Sequence, residues 1–172
     1  MPQFIMFVGL PASGKSTWRA DMKLDGYEQI STDDLIDAHA AAVGLTYDEV
    51  FKDYMPIAEG RFWGAIADAV KNKRNIVLDR TNLSVKTRRR ILSKLTNDYS
   101  KFAVVFMPPR DSVDRAEHKR RLADRPGKTI PMNILTMMEK QFELPTKNEG
   151  FDSVQIFDLW GRPMTGMREQ KK

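Results

Sequence analysis

The stretch GLPASGKSTW, residues 9–18, constrains the fold more than any other part of the chain, because it directly follows the apolar run FIMFV at residues 4–8. It matches the pattern G-x-x-x-x-G-K-[ST] at Gly9, Gly14, Lys15 and Ser16. Glycines allow the backbone to turn back so that successive N–H groups point at one anion, and a following helix adds its positive end. The pattern predicts a buried strand, a loop that binds the phosphates of a nucleoside triphosphate, and a helix.

The composition is typical of an ordinary globular protein. The chain has 172 residues, of which 41% are hydrophobic and 30% are charged, and its net charge is +5. Because there is no cysteine, disulfides and cysteine-based zinc sites are excluded. No apolar run approaches the roughly 20 residues of a membrane span, and the N-terminus lacks the basic start of a secretory signal. We expect one cytoplasmic domain over residues 1–172, frayed from about residue 165.

Short apolar runs alternate with amphipathic segments along the whole chain. This alternation predicts an α/β fold with helices on both faces of a parallel sheet, and the motif at residues 9–16 makes the expected sheet a P-loop NTPase-type one. The segment 47–73 is expected to form one or two helices, interrupted near Pro56. Residues 110–125 predict a single basic helix.

Two adjacent carboxylates, Asp33 and Asp34, follow the second predicted strand in the sequence ISTDDLID. Ligands gather at the carboxyl ends of parallel strands, so one of these side chains is expected near the terminal phosphate. A carboxylate in that position accepts the proton of an attacking hydroxyl group. Ser31 or Thr32 followed by acids is also typical of a helix N-cap, and each aspartate could fill one of the two roles.

Arginines are concentrated in the stretch HKRRLADRPGKTIP, residues 118–131. Arg121 and Arg125 are four positions apart, which on a helix puts them on the same side. A basic helix that runs into a Pro–Gly turn suits a lid that closes over a polyphosphate and offsets its charge in the transition state. A solvated basic surface is the alternative.

These three segments, in this order, resemble the kinase domain of the bacteriophage polynucleotide kinase family. GLPASGKSTW resembles the family's phosphate-binding loop, STDDL its acid pair, DRTNLSVKTRR its D-T-N-L…R-R segment and RRLADRPGKTIP its arginine lid. The resemblance implies an ATP- and Mg²⁺-dependent kinase with a P-loop fold, in which Asp33 is the general base and Arg121 and Arg125 are catalytic. If the chain is phage-encoded, its compartment is the host cytoplasm.

The expected site residues fall into groups by role. Catalytic roles are expected for Asp33, Lys15, Arg121 and Arg125. Nucleotide contacts are expected from Gly9, Pro11, Ala12, Ser13, Gly14, Lys15, Ser16, Thr17 and Arg121. Mg²⁺ is expected to bind Ser16 and Asp79, the latter as a Walker-B-like acid. Candidates for the adenine pocket are the surroundings of Arg121 and the segment 145–151.

Departures from the family pattern affect which hydroxyl group could accept the phosphate. Where the phage enzyme has an arginine that grips the 3′-phosphate of its substrate, this chain has Ile36. The segment DRTN is also one residue longer than the family's DTN, and its Thr81 and Asn82 are expected either to position the substrate or to cap the next helix. A C-terminal phosphatase domain, as in the bifunctional phage enzyme, is not expected.

The sequence leaves several classes of molecule possible as the source of the acceptor hydroxyl group. The leading hypothesis is the 5′-hydroxyl of a nucleic acid, DNA rather than RNA, whose phosphates the basic helices would contact. An alternative is a hydroxymethyl group on a modified pyrimidine, such as 5-hydroxymethyluracil in phage DNA, which requires major-groove access or a flipped base. Further alternatives are a kinase for a small metabolite or nucleoside, and a non-catalytic nucleic-acid-binding module that holds ATP as a structural ligand.

Overall fold

The computed structural model describes residues 1–22 and 24–164, so the predicted frayed tail lies outside the described residues. The strands are β1 Gln3–Val8, β2 Tyr27–Ile30, β3 Asn75–Leu78, β4 Ser100–Phe106 and β5 Ser153–Phe157. The helices are α1 Lys15–Asp21, α2 Thr32–Val43, α3 Tyr47–Lys71, α4 Val85–Leu92, α5 Ser112–Ala123 and α6 Met132–Gln141, and a 3₁₀ turn covers Lys147–Glu149. Within this part of the chain, no helix is long and apolar enough to cross a membrane.

The strands form one parallel sheet in the order β2-β3-β1-β4-β5, which confirms the predicted α/β class. Strand β1 lies in the centre and pairs with β3 on one side and β4 on the other. Because the strands run in the same direction, the segments that follow β1, β2 and β3 leave the sheet at one edge. That edge receives the phosphate loop, the acid pair at the start of α2, and Asp79.

Helices cover both faces of the sheet, as the alternating pattern predicts. On one face, Phe4 of β1 packs with Phe62 of α3 and Ile91 of α4. On the other face, Phe7 packs against Trp18 of α1, with the two ring centroids 5.4 Å apart in an edge-on arrangement. Strand β1 is therefore buried from both sides, and this fixes the position at which the phosphate loop begins.

Helix α3 is continuous over Tyr47–Lys71, so the predicted interruption near Pro56 is wrong. Proline removes one backbone hydrogen bond and crowds the preceding turn, but Pro56 is exposed, where water can satisfy the freed carbonyl. Buried side chains before and after it, including Val50 and Phe62, hold the helix in place. With 25 residues and a rise of about 1.5 Å per residue, α3 is about 37 Å long.

Helices α2 and α3 form a hairpin that has a small hydrophobic core of its own. This core consists of Ile36, Ala40, Val50, Tyr54 and Ala58. Ile36 is fully buried in it. The side chain at the position of the phage enzyme's phosphate-gripping arginine therefore packs inside the hairpin and cannot contact a substrate.

Helix α5 ends at Ala123, earlier than predicted, and Asp124 is its C-cap. Arg125 precedes Pro126, and a residue before proline is disfavoured in the helical conformation. Arg121 is consequently helical, whereas Arg125 belongs to the following turn. The expectation that both arginines share one helical face is wrong.

Arg88 of α4 is fully buried and connects three segments of the chain. Its Nε donates a hydrogen bond to Glu149 Oε2 at 2.7 Å. Its Nη1 donates to the carbonyl oxygens of Asn82 at 3.1 Å and Leu83 at 2.8 Å. The Glu149 side chain is only 3% exposed, so both charges of this ion pair are shielded from water.

The substitution Arg88→Met is expected to lower the free energy of unfolding by about 3–5 kcal/mol, because it leaves the Glu149 carboxylate buried without its counter-charge. Urea denaturation of the wild-type and variant proteins measures this difference. Arg89→Met, at the exposed neighbouring position, is the control and should change stability by less than about 0.5 kcal/mol. A loss below about 1 kcal/mol for Arg88→Met would contradict the structural role.

Candidate active site

An open cleft of about 630 Å³ lies beside the phosphate loop. The loop and the start of α1 line it through Ala12, Ser13, Gly14, Lys15, Ser16 and Thr17. Helix α5, the turn after it and the turn after β5 line it through Glu117, Arg120, Arg121, Arg125, Leu159 and Trp160. Most of the expected nucleotide contacts therefore border one cleft, whereas Gly9 and Pro11 are outside its lining.

The two glycines of the loop are required by its backbone. A Cβ atom on Gly9 would lie 2.8 Å from Ser13 Oγ, closer than real Cβ atoms come, and 3.0 Å from both the Cβ and the carbonyl oxygen of Phe106, which is tighter than most real Cβ contacts. Gly14 has a φ of 102°, a left-handed conformation that other residues rarely adopt. Close approach thus explains the first glycine, and the dihedral angle explains the second.

The ammonium group of Lys15 is folded back onto the loop. Its Nζ donates hydrogen bonds to the carbonyl oxygens of Gly9 at 3.0 Å and Leu10 at 2.6 Å. Burial lowers the pKa of Lys15 to about 8, although the negative charge of Asp79 opposes this shift. Lys15 is therefore a buried cation that an anion in the loop would stabilise.

Arg125 is close enough to Lys15 for its charge to help lower the pKa of Lys15, whereas the charge of Asp33 acts in the opposite direction. The Nη1 atom of Arg125 is buried and has no hydrogen-bond partner within residues 1–22 and 24–164. A buried donor without a partner costs free energy, and two neighbouring cations repel each other, so an anion between them relieves both penalties. The loop, Lys15 and Arg125 therefore fit a polyphosphate.

Arg121 borders the same cleft but has different surroundings. Its Nε donates to Glu117 at 2.7 Å and its Nη1 donates to the carbonyl oxygen of Leu159 at 2.8 Å. Its guanidinium carbon lies 5.6 Å from the centroid of the Trp160 ring. Protein groups therefore engage Arg121, whereas Arg125 keeps a free buried donor.

The two candidate regions for the adenine differ in position. The surroundings of Arg121 border the cleft through Leu159 and Trp160. The segment 145–151 lies elsewhere, since Glu149 binds the buried Arg88 and Phe151 packs in the main core. Of the two candidate regions, the first therefore borders the cleft and the second does not.

Asp33 and Asp34 share the first turn of α2 but have different partners. Ser31 is the N-cap, and its Oγ accepts a hydrogen bond from the backbone N–H of Asp34 at 3.1 Å. The Asp34 carboxylate binds Arg19 at 2.9 Å. The exposed Asp33 carboxylate accepts a hydrogen bond from Tyr47 Oη at 2.9 Å. Because Ser31 performs the capping, both aspartate side chains are released from that role.

Asp79 follows β3, and its Oδ2 lies 3.2 Å from Arg19 Nη1. Burial raises the pKa of Asp79, whereas the charges of Lys15 and Arg19 lower it. Ser16 is exposed at the start of α1. In the part of the chain that the structure describes, no cluster of three or more histidine or acidic side chains could hold a metal. A hydroxyl group and a carboxylate nonetheless suit Mg²⁺, which takes few protein ligands when phosphates supply the others.

The DRTN segment supports the phosphate loop. The carbonyl oxygen of Thr81 accepts a hydrogen bond from the backbone N–H of Gly9 at 3.0 Å. Asn82 is 2% exposed, and its Nδ2 donates to the carbonyl oxygen of Phe7 at 2.8 Å. Since Ser84 is the N-cap of α4, the helix-capping role expected for Asn82 is wrong. A substrate contact of Thr81 or Asn82 stays a prediction.

Two contacts around the site were not indicated by any motif. One is the hydrogen bond from Tyr47 to Asp33. The other joins His118 Nε2 of α5 to the carbonyl oxygen of Pro11 at 2.7 Å, and because a carbonyl only accepts, Nε2 carries the proton. His118 is buried and 107 positions from Pro11, so no local pattern could reveal this connection between the lid helix and the loop.

A family model described as an AAA domain matches residues 4–145. The matched segment begins within β1 and extends past α6. It includes the phosphate loop, the acid pair of α2, Asp79 and both arginines of the lid. The match therefore covers the candidate site except for the turn after β5.

Two curated relatives match most of this chain. A bifunctional polynucleotide phosphatase/kinase of Schizosaccharomyces pombe is 22% identical over 154 residues, which cover 89% of this chain and 33% of that protein. A heterogeneous nuclear ribonucleoprotein U-like protein 2 of Mus musculus is 26% identical over 164 residues, which cover 91% of this chain and 22% of that protein. This chain spans about a third or less of the length of these relatives.

Solved structures share the fold. A chain of the Pnkp1/Rnl/Hen1 RNA repair complex aligns with a TM-score of 0.62 at 20% identity, over 99% of this chain and 50% of that chain. A gluconokinase from Sinorhizobium meliloti 1021 aligns with a TM-score of 0.50 at 18% identity, over 92% and 83%. The predicted P-loop kinase fold and the stated resemblance to polynucleotide kinases are confirmed.

The affinity for ATP is expected to fall above pH 8. A polyphosphate binds the charged form of Lys15, whereas above its pKa of about 8 the free protein carries a neutral lysine. The affinity should be nearly constant just below this pH and fall about tenfold per pH unit above it, with uptake of close to one proton. Calorimetry in two buffers of different ionisation enthalpy measures both quantities.

Lys15→Ala is the control for this pH dependence, because it removes the titrating group. Its affinity should be weak at every pH and should lack the decline above pH 8. A wild-type affinity that stays constant above pH 8 would contradict the lowered pKa of Lys15, and a decline that persists in Lys15→Ala would contradict its assignment to this residue.

Proposed function

The chain belongs to the AAA-domain family matched above, and on that premise we propose that it is an ATP-dependent kinase that transfers the γ-phosphate to a hydroxyl group of a nucleic acid. The leading candidate acceptor is a 5′-hydroxyl. One observation carries the proposal: Lys15 and Arg125 line the same cleft, where Arg125 Nη1 is a buried donor without a partner among the described residues, and the negative charge of Asp33 acts on the Lys15 ammonium. Two cations and an exposed carboxylate are what phosphoryl transfer to an alcohol requires.

In the proposed reaction, the acceptor oxygen bonds to the γ-phosphorus, the bond from that phosphorus to the β,γ-bridging oxygen breaks, and ADP leaves. Asp33 accepts the proton of the acceptor hydroxyl. Lys15 and Arg125 stabilise the charge on the transferred phosphoryl group. Ser16 and Asp79 would hold Mg²⁺, which supplies further neutralisation of the phosphate charge when bound.

The nucleobase is assigned to the end of the cleft that Arg121 and Trp160 border. Trp160 is 45% exposed and offers an aromatic surface, and Arg121 is held over its ring. Trp18 lies in the same lining. In this arrangement Arg121 contacts the nucleotide away from the transferred phosphate, and Arg125 is the arginine at the reacting end.

Three arginines that contact α3 support an acceptor that carries several phosphates. Three guanidinium groups lie over aromatic rings of α3, 4.6–5.8 Å from the ring centroids: Arg61 over Tyr54, Arg80 over Phe62 and Arg90 over Trp63. The rings hold the guanidinium groups in place while their charge stays available. Arg80 is paired with Glu59, so the exposed Arg61 and Arg90 are the candidates for contacts with a nucleic-acid backbone.

The choice between DNA and RNA remains part of the proposal. The preference for DNA comes from the resemblance to the phage kinases, whereas structural neighbours include a chain of an RNA repair complex and a fungal RNA kinase. The burial of Ile36 favours a second candidate, a hydroxymethyl group on a pyrimidine within DNA, because α2 offers no arginine for a 3′-phosphate next to the reacting hydroxyl.

The deciding experiment measures transfer of labelled γ-phosphate to several acceptors. These are 5′-hydroxyl DNA, single- and double-stranded, 5′-hydroxyl RNA, DNA that contains 5-hydroxymethyluracil, and gluconate. Transfer to a nucleic acid supports the proposal and identifies the hydroxyl group. Transfer to gluconate alone would instead make the protein a small-metabolite kinase. If ATP is not hydrolysed and no acceptor receives its γ-phosphate, the result would favour a non-catalytic module.

Asp33→Asn is expected to lower kcat by about 10²–10⁴-fold because it removes the proton acceptor. The dissociation constant for ATP should stay within about twofold, since the asparagine keeps the shape of the side chain. Asp53→Asn, at an exposed position of α3, is the matched control and should leave kcat unchanged. A parallel loss of nucleotide binding in Asp33→Asn would indicate a structural role.

Arg61→Gln and Arg90→Gln are each expected to weaken binding of an oligonucleotide and to reduce by about one the slope of log affinity against log salt concentration. The Michaelis constant for ATP should not change. Arg74→Gln is the control, because Arg74 precedes β3, at the opposite end of the strands from the phosphate loop, and pairs with Glu28 and Asp68. If the wild-type protein and both variants show equal salt slopes, Arg61 and Arg90 do not contact the nucleic-acid acceptor.

A further inference from the structure

Tyr47 makes a contact that no motif indicates. It is the first residue of α3, and its Oη donates a hydrogen bond to Asp33 Oδ1 at 2.9 Å. Asp33 lies on the exposed first turn of α2, where a carboxylate without a partner would sample several rotamers. The phenol therefore fixes one oxygen of the carboxylate and leaves Oδ2 for another donor.

The phenol is suited to act as a permanent donor. Burial, followed by the negative charge of Asp33, raises the pKa of Tyr47 well above its ordinary value. The hydroxyl consequently keeps its proton at every pH at which the protein would work. Asp37 adds to the same shift, and the positive charge of Arg125 opposes it.

The lid turn is attached to the same end of α3. The backbone N–H of Asp48 donates to the carbonyl oxygen of Gly127 at 3.0 Å, and the backbone N–H of Thr129 donates to Asp48 Oδ2 at 2.8 Å. Lys128 pairs with Asp37 of α2. Residues next to Tyr47 therefore hold the turn that follows Arg125.

Lys128 also touches Tyr47 directly, because its Nζ lies 4.3 Å from the centroid of the Tyr47 ring. A cation at this distance over a ring face is attracted to it. Gly127 packs closely as well, since a Cβ atom there would lie 3.1 Å from Thr46 Cβ. The ring of Tyr47 is thus held between the lid turn and the carboxylate of Asp33.

We propose that Tyr47 is a positioning residue that orients the Asp33 carboxylate toward the acceptor hydroxyl, and that Lys128 makes this orientation depend on docking of the lid turn. The proposal rests on the proposed function, in which Asp33 accepts the proton. Oδ1 binds the phenol, so Oδ2 is the atom that takes the proton. Undocking the lid turn withdraws Lys128 from the ring and Arg125 from the phosphate together.

The first test is Tyr47→Phe, which removes the hydroxyl and keeps the ring. We expect kcat to fall about 10- to 100-fold while the Michaelis constant for ATP stays within about twofold, because orientation is lost and nucleotide binding is not. Tyr99→Phe is the matched control: it removes a hydrogen bond to the carbonyl oxygen of Arg74, away from the phosphate loop, and should leave kcat unchanged. An unchanged kcat in Tyr47→Phe overturns the proposal.

The second test needs no catalysis. Three-bond ¹³C–¹³C and ¹⁵N–¹³C couplings in the labelled protein report the χ1 rotamer of Asp33. We expect one rotamer in the wild-type protein and averaged values in Tyr47→Phe. Identical couplings in both proteins overturn the proposal. If the wild-type protein phosphorylates no alcohol, the proposed function fails, and these couplings still decide whether Tyr47 orients Asp33.

The third test addresses the link to the lid. Lys128→Met should lower kcat at least about threefold in the wild-type background and by a clearly smaller factor in the Tyr47→Phe background, because the part of its effect that passes through the orientation of Asp33 is already lost there. Equal effects of Lys128→Met in the two backgrounds would overturn the coupling through Tyr47.

Discussion

The buried positive charge of Lys15 at the carboxyl end of the central strand organises the site. The loop carbonyls hold the ammonium group, but they carry no net charge, so compensation comes from Asp79, just after β3, and from Asp33, in the first turn of α2. Asp79 also binds a second cation, Arg19, which bridges it to Asp34. The alternation of charges at this edge of the sheet follows from one lysine that is shielded from water.

Local features of the chain were predictable from the sequence, and contacts between distant segments were not. The glycines of the loop and the alternation of apolar runs determine the strand, the loop and the parallel sheet, because both act over a few residues. The continuity of α3 through Pro56 depends on packing against α2 and the sheet, which overrides a local preference. The bonds of Tyr47, Asn82 and His118 join segments that only the folded chain brings together.

The hydrophobic core of the α2–α3 hairpin explains why the acceptor region differs from that of the phage enzyme. Ile36 faces this core, so the first turns of α2 contribute the carboxylate of Asp33 but no cation for the substrate. In the proposed function that task passes to the arginines over the aromatic rings of α3. An acceptor held by its flanking backbone, rather than at the reacting nucleotide, needs no phosphate on that nucleotide.

Helix α3 joins the hairpin core to the main core without a break, from Tyr47 beside the carboxylate to Ala69 under the sheet. A stiff rod that is packed along its length transmits displacements from one end to the other, because close-packed interiors have little free volume to absorb them. In the proposed role of Tyr47, changes of side-chain volume near Ala69 would reach its hydroxyl through this helix, although they lie several helical turns away. Sequence drift under the sheet can in this way tune chemistry at its far edge.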